Sequence, residues 1–80
     1  MPTVAREGPW RCFFYSHEGT EPPHIHVARE RLEAKFWIEP VALASSSGFS
    51  AHELREIQRM IKTRQRFFLE AWHGYFGYQS

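Results

Sequence analysis

Eighty residues with ten basic and nine acidic side chains, a formal net charge of +1 and 16% aromatic residues make one domain, and exclude a global field that would dictate nucleic acid or an anionic membrane as partner. A single cysteine, Cys12, excludes an internal disulfide, and no apolar run reaches the roughly 20 residues of a membrane helix. With no basic and apolar leader at the N-terminus, a soluble cytoplasmic protein is expected, its small core enlarged by ring mass and no cofactor implied.

Thr3-Val4-Ala5-Arg6 predicts a short strand, punctuated by Gly8-Pro9. The run Trp10 to Ser16 is apolar on both faces, with Trp10, Cys12 and Phe14 on one side and Phe13 and Tyr15 on the other. That pattern predicts a central strand covered on both sides. His17 to Pro23 is polar and rich in turn formers, hence a loop, and its two prolines force an extended entry into the next strand.

Pro22-Pro23-His24-Ile25-His26-Val27 launches a strand in which Ile25 and Val27 share the core side and both imidazoles share the opposite one. Strands from His24 to about Arg29 and from Leu32 to Ile38 make an antiparallel hairpin around Glu30-Arg31. The turn lacks Asn-Gly or Asp-Gly, which leaves its type and register open. Pro40 ends the second strand, and Val41 to Ala44 is one more short extended piece before a serine-rich link, Ser45-Ser46-Ser47-Gly48.

Ser50 with Glu53 three residues on is a capping box, and Phe49 can reach Leu54 as a hydrophobic staple, so a helix starts at Ala51. Leu54, Ile57, Ile61, Phe68, Trp72 and Tyr75 fall in one sector, which favours one long amphipathic helix over two. Such a rod exceeds the length of its sheet. Either it bends near Thr63 to Gln65, or its aromatic end packs on a second chain through Phe67, Phe68, Trp72, Tyr75 and Phe76, with Arg64 snorkelling to solvent or pairing with a partner's carboxylate.

Met1-Pro2-Thr3-Val4, Phe13-Phe14-Tyr15-Ser16, Pro22 to Val27, Glu33 to Trp37, Gly48-Phe49-Ser50 with Glu53-Leu54, and Glu70-Ala71-Trp72 with Tyr75-Phe76 together resemble the bacterial domain-of-unknown-function family 4160. The resemblance covers almost the whole chain in order. It implies a neighbouring gene for a protein of unknown-function family 2442, a toxin-antitoxin-like two-gene module, and therefore a partner more strongly than a reaction. Gly74 departs from the family pattern and is expected to weaken the helix or end it early.

Three constellations bear on chemistry. His24 and His26 are close enough to share one ion or to move a proton, but zinc catalysis needs a third ligand, to come from His17, His52, a carboxylate or Cys12. The alternatives are a solvent-facing pair, or imidazoles hydrogen-bonded to a neighbouring loop. His24-Ile25-His26 also matches the start of a histidine-triad nucleotidase signature, yet Ala28 stands where the third histidine belongs. Arg55, Arg59, Lys62 and Arg66 line one sector of the helix, either as a rail for phosphates or an acidic partner or as an ordinary solvated face.

The expected fold is therefore α+β: a small, mainly antiparallel sheet of three to five strands followed by a long C-terminal helix, straight or bent, packed on one face. The expected role is that of an interaction protein forming a homodimer or a heteromeric complex. The alternative is a small RNA-targeting or metal-assisted hydrolase using His24 and His26.

Overall fold

Residues 3–77 are described by the computed structural model of the chain, in which β1 (Thr3–Glu7), β2 (Trp10–Phe13), β3 (His24–Arg29), β4 (Leu32–Ile38) and β5 (Val41–Ser47) precede α1 (Ala51–Thr63) and α2 (Gln65–Phe76). Each strand pairs antiparallel with the next, so the five-stranded sheet has the same order as the chain. Tight turns at Gly8-Pro9, Glu30-Arg31 and Glu39-Pro40 favour this meander, in which the one long strand connection, residues 14–23, joins β2 to β3. The opening Met1-Pro2 lies outside the described residues.

The hairpin of β3 and β4 forms as expected, with Arg29 opposite Leu32 and a turn at Glu30-Arg31. Glu30 takes a φ of 56°, the left-handed region that an Asn or Gly would occupy at lower cost. Ile25, Val27, Ala34, Phe36 and Ile38 point to one face and are buried under Ile57 and Ile61 of α1 and Phe68 and Trp72 of α2. The period-two pattern of the strands and the period of about 3.6 in the helices thus meet in one core.

Three expectations are corrected. The strand predicted over Trp10 to Ser16 stops at Phe13, because the following residues leave the sheet to form a loop across its outer face. The strand predicted over Val41 to Ala44 continues through Ser45, Ser46 and Ser47, which pair with Lys35, Ala34 and Glu33. Backbone pairing to β4 holds these serines extended despite their weak strand preference.

The third correction concerns the C-terminal rod. It is two helices, broken at Arg64 (φ −106°, ψ 21°), inside the Thr63 to Gln65 segment where the sequence allows a bend. Thr63 Oγ1 donates back to the Arg59 carbonyl at 3.0 Å, a bond that bends helices. The Gln65 amide donates to the Ile38 carbonyl at 2.7 Å, and Arg64 pairs with Glu7 of the same chain. These tethers turn α2 onto the sheet, so Phe68 and Trp72, expected to meet a partner, have no exposed surface. Gly74 does not end the helix, which runs to Phe76 and closes at Gly77 (φ 85°).

The start of α1 is fixed as the sequence indicates: the Glu53 N–H donates to Ser50 Oγ at 3.1 Å. The Glu53 carboxylate reaches further, accepting from Arg29 Nε and Nη2 at 2.7 Å each and from Trp10 Nε1 at 2.9 Å. This clamp ties the helix to β2 and β3. Hydrogen bonding from Arg29, then from Trp10, holds the carboxyl down at about 2 against an ordinary 4.5.

Trp72→Ala is expected to cost about 3–5 kcal/mol by urea denaturation, whereas Phe67→Ala, exposed on the same helix, should cost under about 1 kcal/mol. The clamp predicts an acid limb: stabilisation by a carboxylate of lowered value is present above 4.5 and lost as pH falls through about 2. Glu53→Gln should therefore flatten the decline in urea midpoint between those two values.

Candidate functional site

Strand β3 turns His24 and His26 away from the helices, and residues 14–23 fold back to cover them. Turn bonds from the Glu18 N–H to the Tyr15 carbonyl (3.3 Å) and from the Glu21 N–H to the Glu18 carbonyl (3.1 Å) shape the loop. Its end is anchored by the Ile38 N–H donating to the Pro23 carbonyl at 3.1 Å. A Cβ on Gly19 would lie 2.7 Å from Phe76 Cδ1, so the last turn of α2 presses on the loop where only glycine fits without displacing that ring.

Beneath this loop His24 is fully buried and His26 is 6% exposed. The solvent-facing alternative is thereby overturned, and the imidazoles are bonded to a neighbouring loop. Phe13 stacks on His26 with ring centres 5.5 Å apart, Tyr15 meets it edge-on at 4.5 Å, and Trp72 comes within 4.8 Å of the His24 ring.

The third group is Glu18. Its Oε1 lies 2.8 Å from His26 Nε2 and 2.9 Å from His24 Nε2. The approach to His26 has hydrogen-bond geometry, while the approach to His24 is off-axis and leaves that nitrogen without a bond. His24 Nδ1 donates to the Pro22 carbonyl at 2.9 Å. His26 Nδ1 stands 3.4 Å from Glu33 Oε2 without a hydrogen bond, and that carboxylate accepts from the Tyr15 hydroxyl at 3.2 Å. Lys35 closes the far side by donating to Glu21 at 2.6 Å.

The electrostatics follow this geometry. Burial alone would raise the Glu18 carboxyl, but the adjoining His24 and His26 outweigh it and hold the group below its ordinary value. Hydrogen bonding from Lys35 does the same for Glu21. Burial, then the nearby Glu33 charge, raises the Tyr15 phenol. Beside the centre, a shallow groove of about 350 Å³ runs along the outer face, with His26, Arg31, Lys35 and Ser45 to Ser47 on its walls.

The remaining predicted residues do not converge there. Arg64 is paired with Glu7 and lies over the Phe67 ring, while Phe67 and Tyr75 stay exposed and Phe76 is half-buried against Trp72 at 4.2 Å. Arg55, Arg59 and Lys62 are exposed along α1; Arg66 belongs to α2 and sits 3.7 Å from Glu70. Cys12 is fully buried on the helix side, its thiol pushed up to about 12 mainly by burial, so it supplies neither a ligand to this site nor a nucleophile. His17 is exposed, and His52 leans on Glu56 at 3.7 Å.

Sequence reasoning left a carboxylate open as third ligand without naming it. The signal lay in the loop: Glu18 and Glu21 stand six and three residues before His24, ahead of two prolines that stiffen the return to β3. In chelator, Glu18→Gln is expected to cost about 1–3 kcal/mol at neutral pH by urea denaturation, the penalty of weakening a buried polar pairing. The loss should shrink on acidification, because a carboxylate of lowered value stabilises above its ordinary 4.5 and stops doing so as pH falls through the lowered one.

Searches of curated proteins and of solved structures give no significant match. A family model described as Domain of unknown function (DUF4160) matches residues 10–73, which span β2 to the last turns of α2 and include Glu18, His24 and His26. With most of its 80 residues matched, site included, the chain belongs to that family.

Proposed function

We propose that the chain acts by associating with another protein in the cytoplasm, as one member of a toxin-antitoxin-like two-gene module, and that the open edge of β5 is the seam. One observation carries this reading: β5 is an outer strand of seven residues with no charge and no proline, exposed from Leu43 to Ser47. Soluble proteins ordinarily blunt such edges with charge or proline, and a strand left open pairs with an added one. The opposite edge, β1, carries Arg6 and Glu7. The bulge opposite Lys35 and Phe36 twists β5 without adding charge.

Leu43, 44% exposed on this edge, adds apolar area to the seam. Phe67 and Tyr75 remain available on α2 as a second contact, which retains part of the aromatic surface expected from the sequence.

The hydrolase reading stands second. Glu18 supplies the third polar group it required, but His24 is sealed and the Glu18 side chain is 11% exposed. A substrate would have to lift the loop before touching either imidazole.

Light scattering on the chain alone, and after co-expression with the product of the adjacent gene, tests the seam. A stable complex is expected in one of the two, lost in Leu43→Lys and Ser46→Lys with the unfolding temperature of the isolated chain unchanged. A chain that stays monomeric and forms no complex, or a complex indifferent to both substitutions, overturns the proposal.

A further inference from the structure

We propose that Glu18, His24 and His26 form a binding site for one divalent transition-metal ion of the zinc class, which pins the 14–23 loop to the outer face of the sheet. The inference is independent of the β5 seam. It begins with convergence: one donor atom from each residue can be chosen so that all three lie within 4.8 Å of one another. Two imidazole nitrogens and a carboxylate oxygen are ligands that zinc and its neighbours accept, with a further position left for water.

Proton placement is the second step. The Pro22 carbonyl can only accept, so its 2.9 Å contact requires the proton of His24 on Nδ1. In the neutral ring Nε2 is then a lone pair, and it lies 2.9 Å from a carboxylate oxygen that is also an acceptor. This nitrogen is fully buried and unbonded. Two acceptors at that separation repel. A proton on Nε2 would still lack a well-directed bond, whereas a cation accepted by both atoms satisfies each.

The outer shell is the third. Ligating histidines characteristically turn their other nitrogen to a carbonyl or carboxylate, which fixes ring orientation. His24 has the Pro22 carbonyl in that role; His26 Nδ1 lies 3.4 Å from the Glu33 carboxylate, which accepts from the Tyr15 hydroxyl, without itself making a hydrogen bond. The imidazole pair also sets the selectivity. Magnesium and calcium prefer all-oxygen shells and should bind poorly here.

The site predicts what a metal would do. Loop and sheet are joined by Glu18, so an ion shared with both histidines closes the loop against β3, and chelation releases that constraint. The full chain, stripped with EDTA and titrated with Zn²⁺ by calorimetry, should bind one ion per chain and rise in unfolding temperature, with millimolar Mg²⁺ or Ca²⁺ producing no rise. Co²⁺ in place of zinc should give the visible absorption of a low-coordinate nitrogen and oxygen site.

Glu18→Gln and His26→Gln should each weaken Zn²⁺ binding by tenfold or more and remove the Co²⁺ spectrum, while the exposed His52→Ala leaves both intact. Circular dichroism identifies variants that stay folded, and Glu18→Gln, isosteric and at the margin of the site, keeps the test decisive if a histidine variant does not. Absence of saturable Zn²⁺ binding, or binding that survives Glu18→Gln in the folded chain, overturns the proposal.

Discussion

A single carboxylate oxygen, Glu18 Oε1, set within 2.9 Å of two buried imidazole nitrogens is the contact on which the outer half of the molecule depends. A five-stranded sheet has two faces, and the helices cover one of them. The other carries Phe13, His24 and His26, which the loop covers, with Trp72 also packed against the His24 ring and Arg11 over the Phe13 ring. Burying two imidazoles without partners would cost several kcal/mol, on the order of 1–3 for each unsatisfied group. Glu18 meets that demand at His26 Nε2 and the Pro22 carbonyl meets it at His24 Nδ1, while His24 Nε2 and His26 Nδ1 stay without a hydrogen bond.

The two faces are not independent. Trp72, central to the helix-side core, also touches the His24 ring at 4.8 Å, and Phe76 one turn later packs where Gly19 leaves room in the loop. Helix α2 therefore braces both layers. Its orientation comes from the break at Arg64, since a straight continuation of α1 would carry these rings beyond the sheet. The tethers at Thr63, Arg64 and Gln65 thus bear on the site although each lies outside it.

What was legible in the sequence was local. Alternation in β3 and β4 placed Ile25, Val27, Phe36 and the two histidines on their observed faces, and the Ser50 cap located the start of α1, because each pattern is written within a few consecutive residues. What was not legible depended on distant partners. The serines of β5 are strand only because β4 supplies their ladder, and the Glu53 clamp joins residues 43 positions apart in the chain. Glu18 was hidden in the same way: a loop glutamate has no period, and only the return of the loop brings it to β3.

Enclosure of Phe68 and Trp72 also shifts the grounds for association. An aromatic overhang demanding a partner is largely resolved within the chain, leaving Phe67, Tyr75 and Leu43 as its large exposed apolar residues among those described. The unfulfilled backbone of β5 then becomes the stronger reason to expect a second protein. That edge borders the groove whose walls include His26, Lys35 and Ser45 to Ser47. A strand added beside β5 would wall the open side of this groove, next to the residues that hold the loop. Association at the edge and closure over the histidines would then reinforce each other, because a partner that reduces solvent access strengthens every charged contact beneath it.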